Sequence, residues 1–222
     1  DVLVGQEFDI RWKAVEAFNA NWDPERIDDV LQAALRDAEV DVVFAAGILV
    51  SELAAKGDFD LPKPVLSGFV QDPDAIGMPY NEQGRSTRTN FSFVVVPLRS
   101  MRDLKVFRDL VPFSSVTILA DRILIESIDG LEAQVQQLAD HLGAGFRLLP
   151  MDRSAAEVLQ RIGPRDEAVY LTPPMRMDEA EWQKIIDGLN ARDLPTFSMM
   201  GHEDVRRGAL AFLQFPDGVD WD

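Results

Sequence analysis

With two histidines and no cysteine in 222 residues, the chain has few side chains suited to metal or nucleophile chemistry. His202-Glu203 lacks the second histidine of a zinc helix, and without cysteine there are no disulfides, thiolate metal sites or thiol nucleophiles. Ala45 to Ser51 follows an apolar run but holds one glycine, so it is neither a dinucleotide fingerprint nor a Walker A loop. The nucleophile elbow G-x-S-x-G is also missing. What remains is a set of carboxylates. Asp72, Asp121 and Glu203 each fall just beyond the C-terminal end of a predicted strand, the edge at which open α/β sheets bind ligands. Each is either a ligand contact or a solvated loop residue. Thr172-Pro173-Pro174-Met175 also follows a predicted strand. It reads either as a rigid turn or as a cleft wall of fixed shape with the Thr172 hydroxyl as a hydrogen-bonding group. Met175, Met177, Met199 and Met200 either fill core or line an adaptable apolar pocket.

The elements that must carry these residues alternate along the chain. Phe8 to Trp12 alternates apolar and polar residues like a half-buried strand. Asp23-Pro24 supplies an N-cap followed by proline, and Ile27, Val30, Leu31, Ala34 and Leu35 recur at helical spacing. Val40 to Ala46 and Pro64 to Val70 read as buried parallel strands, with a short helix from Ser51 to Lys56 between them. Residues 71–89 break the rhythm and form a long loop, after which Asn90 to Val96 resumes as a strand. A second series follows. Helices are predicted over Met101 to Val111, from Ile128 to a stop at Gly143, after Ser154, and from Asp178. Strands are predicted over Ser115 to Ala120, Phe146 to Leu149, Ala168 to Thr172, Pro195 to Met200 and Ala209 to Gln214. The order βαβαβ implies mostly parallel sheets with helices on both faces. A strand and most of a helix are expected upstream of Asp1, and a further helix after Asp222.

Apolar residues make up 46% of the chain, enough for a real core, and no run approaches a membrane span. The net charge of −16 repels phosphate backbones and argues against nucleic acid as a partner.

The stretch from Pro195 to Ala211 (PTFSMMGHEDVRRGALA) resembles the segment ending in a "GDVKRGALA"-like run in ABC transporter substrate-binding proteins of the tryptophan-binding, TrpX-like type. Val40 to Gly47, Pro64 to Pro73, Asn90 to Val95 and Ala168 to Pro174 fall where that family has its "DLIVAIG" strand, its "PVVFAGVSDP" strand and loop, its crossover and its "AIYVPTD" strand. The sequence departs from the family at Ile48-Leu49, which replace small polar residues, and at Thr172-Pro173-Pro174, which replaces the "PTD" turn.

The resemblance implies a type I periplasmic-binding fold: two Rossmann-like lobes with mostly parallel sheets, 1–93 with 209–222 as lobe one and 97–208 as lobe two. It also implies capture of a small, amino-acid-like molecule in a cleft by a hinge motion. Gly47, Ile48, Phe69, Asp72, Asn90, Asp121, Thr172, Pro173, Met200 and Glu203 are the expected ligand-binding residues. Backbone N–H groups at helix N-termini after Gly47 and Asp121 suit an anionic group. No catalytic residue, cofactor or metal is expected. A membrane transporter or an attached membrane domain is the expected partner, in the periplasm or cell envelope. Two alternatives stay open: a non-catalytic sensory or interaction module with a degenerate cleft, and a small-molecule α/β enzyme with Asp121 or Glu203 as base.

Overall fold

The computed structural model describes residues 10–13, 16–70, 73–74, 77–95, 100–128 and 130–214, without the Phe69 side chain. The chain divides into two compact units, Asp1–Val70 with Met78–Val94, and Gln71–Gly77 with Val95–Asp222.

In the first unit, helix α1 spans Pro24–Arg36. Asp23 caps it by accepting the Glu25 N–H at 3.1 Å, and Pro24 opens it without an N–H to satisfy. Ile27, Leu31, Ala34 and Leu35 are buried as one stripe, as the helical spacing predicts. Strand β1 (Val43–Ala45), helix α2 (Ile48–Lys56), and strands β2 (Val65–Val70) and β3 (Phe91–Val95) complete the unit. The sheet order is β1-β2-β3, with β1 and β2 parallel and Phe44 beside Leu66. Helix α2 is tied down from inside: the buried Ser67 hydroxyl donates to Ser51 Oγ at 2.6 Å, and Ser51 donates to the Gly47 carbonyl at 2.6 Å.

One face of this sheet stays open. Phe44, Leu66 and Val94 are 41%, 37% and 44% exposed, whereas Ala45, Val65 and Phe91 on the other face are buried. Phe44 lies over Gly68, where a Cβ would fall 2.6 Å from its ring, and Trp12 meets it edge-on at 6.0 Å. The strand expected over Phe8 to Trp12 is not formed at residues 10–12, and Phe8 and Asp9 lie outside the described residues. In the long loop, Tyr80 and Ser86 form an antiparallel bridge. Arg88 fastens its end by donating to the Gly57 and Phe59 carbonyls at 2.7 and 2.5 Å.

The second unit contains α3 (Ser100–Leu110), β4 (Ser115–Asp121), α4 (Arg122–Ser127), α5 (Leu131–Leu142), β5 (Gly145–Met151), α6 (Ala155–Arg161) and β6 (Val169–Leu171). It continues with α7 (Glu179–Asn190), β7 (Thr196–Ser198), α8 (His202–Arg207) and β8 (Ala211–Phe212). Its sheet runs β5-β4-β6-β7-β8, every pair parallel. Leu119, Leu149, Val169 and Leu171 pack with Val158, Trp182, Ile185, Ile186 and Leu189 of α6 and α7. On the opposite face Val116, Ile118, Tyr170 and Phe197 pack with Leu104 and Phe107 of α3 and Leu138 of α5. Helices therefore cover both faces, and the central strands are apolar nearly throughout.

Three features differ from the sequence reading. The helix expected from Ile128 starts later, at Leu131 after Gly130, which has φ 77°, and a further helix, α4, precedes it at Arg122–Ser127. Helix α8 fills the span between the last two predicted strands. Residues 209–214, expected in lobe one, instead enter the second sheet, where Phe197 pairs with Ala211 and Ser198 with Phe212. Six-residue α8 is long enough to carry the chain back to a parallel neighbour position beside β7.

Candidate functional site

In parallel sheets the loops that follow the strands share one edge, and several predicted site residues meet there in the second unit. Asp121 ends β4, Thr172 and Pro173 follow β6, and Met200 and Glu203 follow β7, with the three strands adjacent in the sheet.

Asp121 is 1% exposed and fully engaged. It accepts the Ile123 N–H at 3.1 Å as the N-cap of α4, and the Arg176 Nε and backbone N–H at 2.9 and 3.2 Å. Arg176 Nη2 lies 2.7 Å from the same carboxylate and donates to Asp152 at 3.0 Å. Asp152, just past β5, also accepts Arg122 Nε at 2.7 Å, and that bond holds the Arg122 guanidinium above its usual pKa. The result is a chain of alternating charges, Asp121–Arg176–Asp152–Arg122, laid across the ends of β4 and β5. It anchors the loop after β6, as does Thr172, whose hydroxyl donates to the Leu119 carbonyl at 2.7 Å. The α4 N-terminus expected to hold an anion already holds one, the Asp121 carboxylate.

A second buried group shapes the β7 end. Asp204 is 2% exposed and accepts the Trp182 indole N–H at 2.8 Å and the Ser198 hydroxyl at 2.6 Å. Ser198 Oγ in turn accepts the Met200 N–H at 2.9 Å. This fixes the turn that presents Met200, 47% exposed, to solvent. Glu203 is exposed and pairs with His202 at 3.0 Å and Arg206 at 3.4 Å. Of the methionines weighed as pocket lining, Met177 is core and Met199 packs against the opposite core.

In the first unit Gly47 has φ +135° and opens α2 with no side-chain cap, so the first N–H groups of that helix are left to other partners. Ile48 is the first residue of the helix and is half-buried. A Cβ on Gly47 would meet the Trp22 ring at 3.2 Å, so glycine is required both by backbone and by contact. Asn21 and Trp22 have φ of 52° and 58°, strained for such side chains. The strain places an indole beside the strand end that carries Gly47.

Asn90 does not join that edge. It immediately precedes β3, its carbonyl accepts the N–H of Val65 at the start of β2, and its amide donates to the Leu61 carbonyl at 2.7 Å. It therefore belongs to the opposite, N-terminal edge of the sheet, where it clamps the loop before β2. Asp72 and the Phe69 side chain lie outside the described residues. Sequence reasoning missed Arg176, Asp152, Asp204 and Trp22. Asp204 had a signal, since a carboxylate one turn before a glycine and six residues after a strand serine can reach back. Arg176 had none beyond its charge.

Among the described residues no group of three or more metal-ligating side chains is present, and no helix is long and apolar enough to cross a membrane. No family model matches the chain, and no curated protein matches it. Solved structures do share its fold. One is the ABC domain in complex with L-Trp from Streptococcus pneumonia, with TM-score 0.64 and 15% identity over 86% of this chain and 66% of that one. A conserved domain protein from Vibrio cholerae O1 biovar El Tor gives TM-score 0.64 and 16% identity over 87% of this chain and 64% of its own. A LacI family transcriptional regulator from Bifidobacterium animalis subsp. lactis gives 0.50 and 13% over 77% and 61%. The chain thus spans 66% or less of the length of each of these proteins. At such identities the likeness speaks to fold alone, and the fold is α/β of the type I periplasmic-binding kind.

Proposed function

We propose, from a fold shared with substrate-binding and regulatory proteins, that this chain is a solute-binding protein. It captures a small molecule in the manner of ABC transporter substrate-binding proteins, using the C-terminal strand edges of its sheets. The observation that carries the reading is the built edge of the second unit, where the Asp121–Arg176–Asp152–Arg122 charge chain and the hydrogen bonds of Asp204 and Ser198 hold the loops after β4, β6 and β7. Such preorganisation lowers the cost of ordering a binding surface. At the first unit's edge, the uncapped start of α2 suits an anionic group of the ligand, and Trp22 offers an apolar face. One neighbour's complex with L-Trp makes an amino acid the first ligand class to try. In this reading the chain works outside the cytoplasm and hands its ligand to a membrane partner.

The non-catalytic interaction module is the second reading. Internal saturation of Asp121 and Arg176 favours it, because both groups already satisfy each other and have little left for a solute. An enzyme finds less support: Asp121, one of the bases it would use, is buried and its carboxylate already accepts the Ile123 N–H and the Arg176 guanidinium.

A thermal-shift screen of amino acids, sugars, nucleosides and short peptides tests the choice. A native-state ligand raises the melting temperature by mass action. A shift that grows with ligand concentration supports solute capture, and no shift across the whole panel favours the interaction module.

A further inference from the structure

The opposite edge of the second unit holds a cavity of about 860 Å³ that the solute-binding reading does not use. It lies where the strands begin: Ser114 precedes β4, Gly143 precedes β5 and Glu167 precedes β6. The C-terminal halves of α3 and α5 form its sides. Phe113 and Leu142 supply an apolar wall. Lys105, Arg108 and His141 supply cationic or protonatable groups.

The lining carries charges of both signs, Lys105 and Arg108 against Asp109 and Glu167. Lys105 and His141 make no hydrogen bond or ion pair among the described residues. Arg108 donates to the Leu142 carbonyl at the end of α5 and has no carboxylate partner among the described residues. Glu167 also lines the cavity, but its oxygens are already occupied. It accepts the Ser114 N–H at 2.6 Å, the Ser114 hydroxyl at 2.7 Å and the Ser115 N–H at 3.3 Å. Asp109 is the remaining acidic group at the rim. Lys105 and Arg108 thus face the apolar wall with no carboxylate partner among the described residues, while the oxygens of Glu167 are taken up by Ser114 and Ser115.

We propose that this cavity is a second binding site, separate from the C-terminal strand edge, for a small amphiphilic anion: a carboxylate or sulfonate carried on an apolar body. The apolar part lies against Phe113 and Leu142, and the anion is met by Lys105 and Arg108 with charge-assisted hydrogen bonds. The site stands whether or not the solute-binding reading does, since none of its residues belongs to that edge.

The test is titration of the chain with 2-naphthoate, followed by calorimetry and by amide chemical shifts. Saturable binding is expected, with shifts centred on Lys105, Phe113 and Gly143. Uncharged 2-naphthalenemethanol should bind about tenfold more weakly, the loss expected from one strong charged contact. Lys105→Glu should weaken naphthoate by a similar factor, and Lys105→Gln by less. Lys105 is on the surface, and circular dichroism checks that both variants keep the fold. Shifts centred instead on Asp121 or Met200, equal binding of the alcohol, or affinity unchanged in Lys105→Glu would each overturn the proposal.

Discussion

The two units use one βα grammar and finish it differently. In the second, a five-stranded parallel sheet is covered on both faces, and its central strands are buried along their length. In the first, α2 packs against β1 and β2 on one face, with α1 against α2, while Phe44, Leu66 and Val94 remain open on the other. Stability follows covered area rather than strand chemistry, so apolar residues of the same kind should matter very differently in the two sheets.

The sharpest way to break that comparison is core truncation. Ile185→Ala in α7, at 0% exposure, should cost about 3 kcal/mol, within the usual span for such deletions. Denaturant unfolding measures it, and a loss under about 1 kcal/mol would mean the second core is looser than drawn. Arg176→Ala should follow at about 2 kcal/mol, because it strands the buried Asp121 carboxylate. Asp121→Asn combined with Arg176→Ala should recover part of that loss, which a double-mutant cycle would show. In the first unit the largest response is expected at Gly47→Ala, roughly 1–2 kcal/mol, from its positive φ and the Trp22 ring.

A smaller effect is set by pH. Burial acts to raise the pKa of Asp166, but hydrogen bonds from Thr117, the Gly163 N–H and Arg147 outweigh it and hold the carboxyl below its ordinary value. A carboxyl depressed in the folded state stabilises above its unfolded pKa, and that contribution is lost as pH falls through the folded one. Asp166→Asn should therefore flatten the decline of melting temperature below about pH 4 and change the slope little at pH 7. The smallest effect is Val94→Thr, expected within about 0.5 kcal/mol if the face stays open. A loss of 2 kcal/mol there would show that something covers it.

How legible all this was depended on range. Periodicity located α1, α7 and the buried strands because each is decided by neighbours within a few residues, as Asp23, Ser154 and Asp178 capping their helices shows. The placement of Asp121, Thr172, Met200 and Glu203 past strand ends was also local and came out as expected. What those residues touch was not local. Asp121 meets Arg176 across 55 residues, and Asp204 meets Trp182 across 22. No spacing rule in a single sequence encodes such pairs. The edge that Asn90 occupies was hidden for a related reason: it depends on whether a residue precedes or follows its strand, and the predicted strand included it.

The uncovered sheet face also has a colloidal consequence. At neutral pH, molecules of net charge −16 repel one another before their apolar faces can meet. Near the isoelectric point of about 4.5, or in concentrated salt, that repulsion disappears. Precipitation there should begin through Phe44, Leu66 and Val94, leaving the second unit's surface uninvolved, and a single charged substitution at Leu66 should delay it in light scattering.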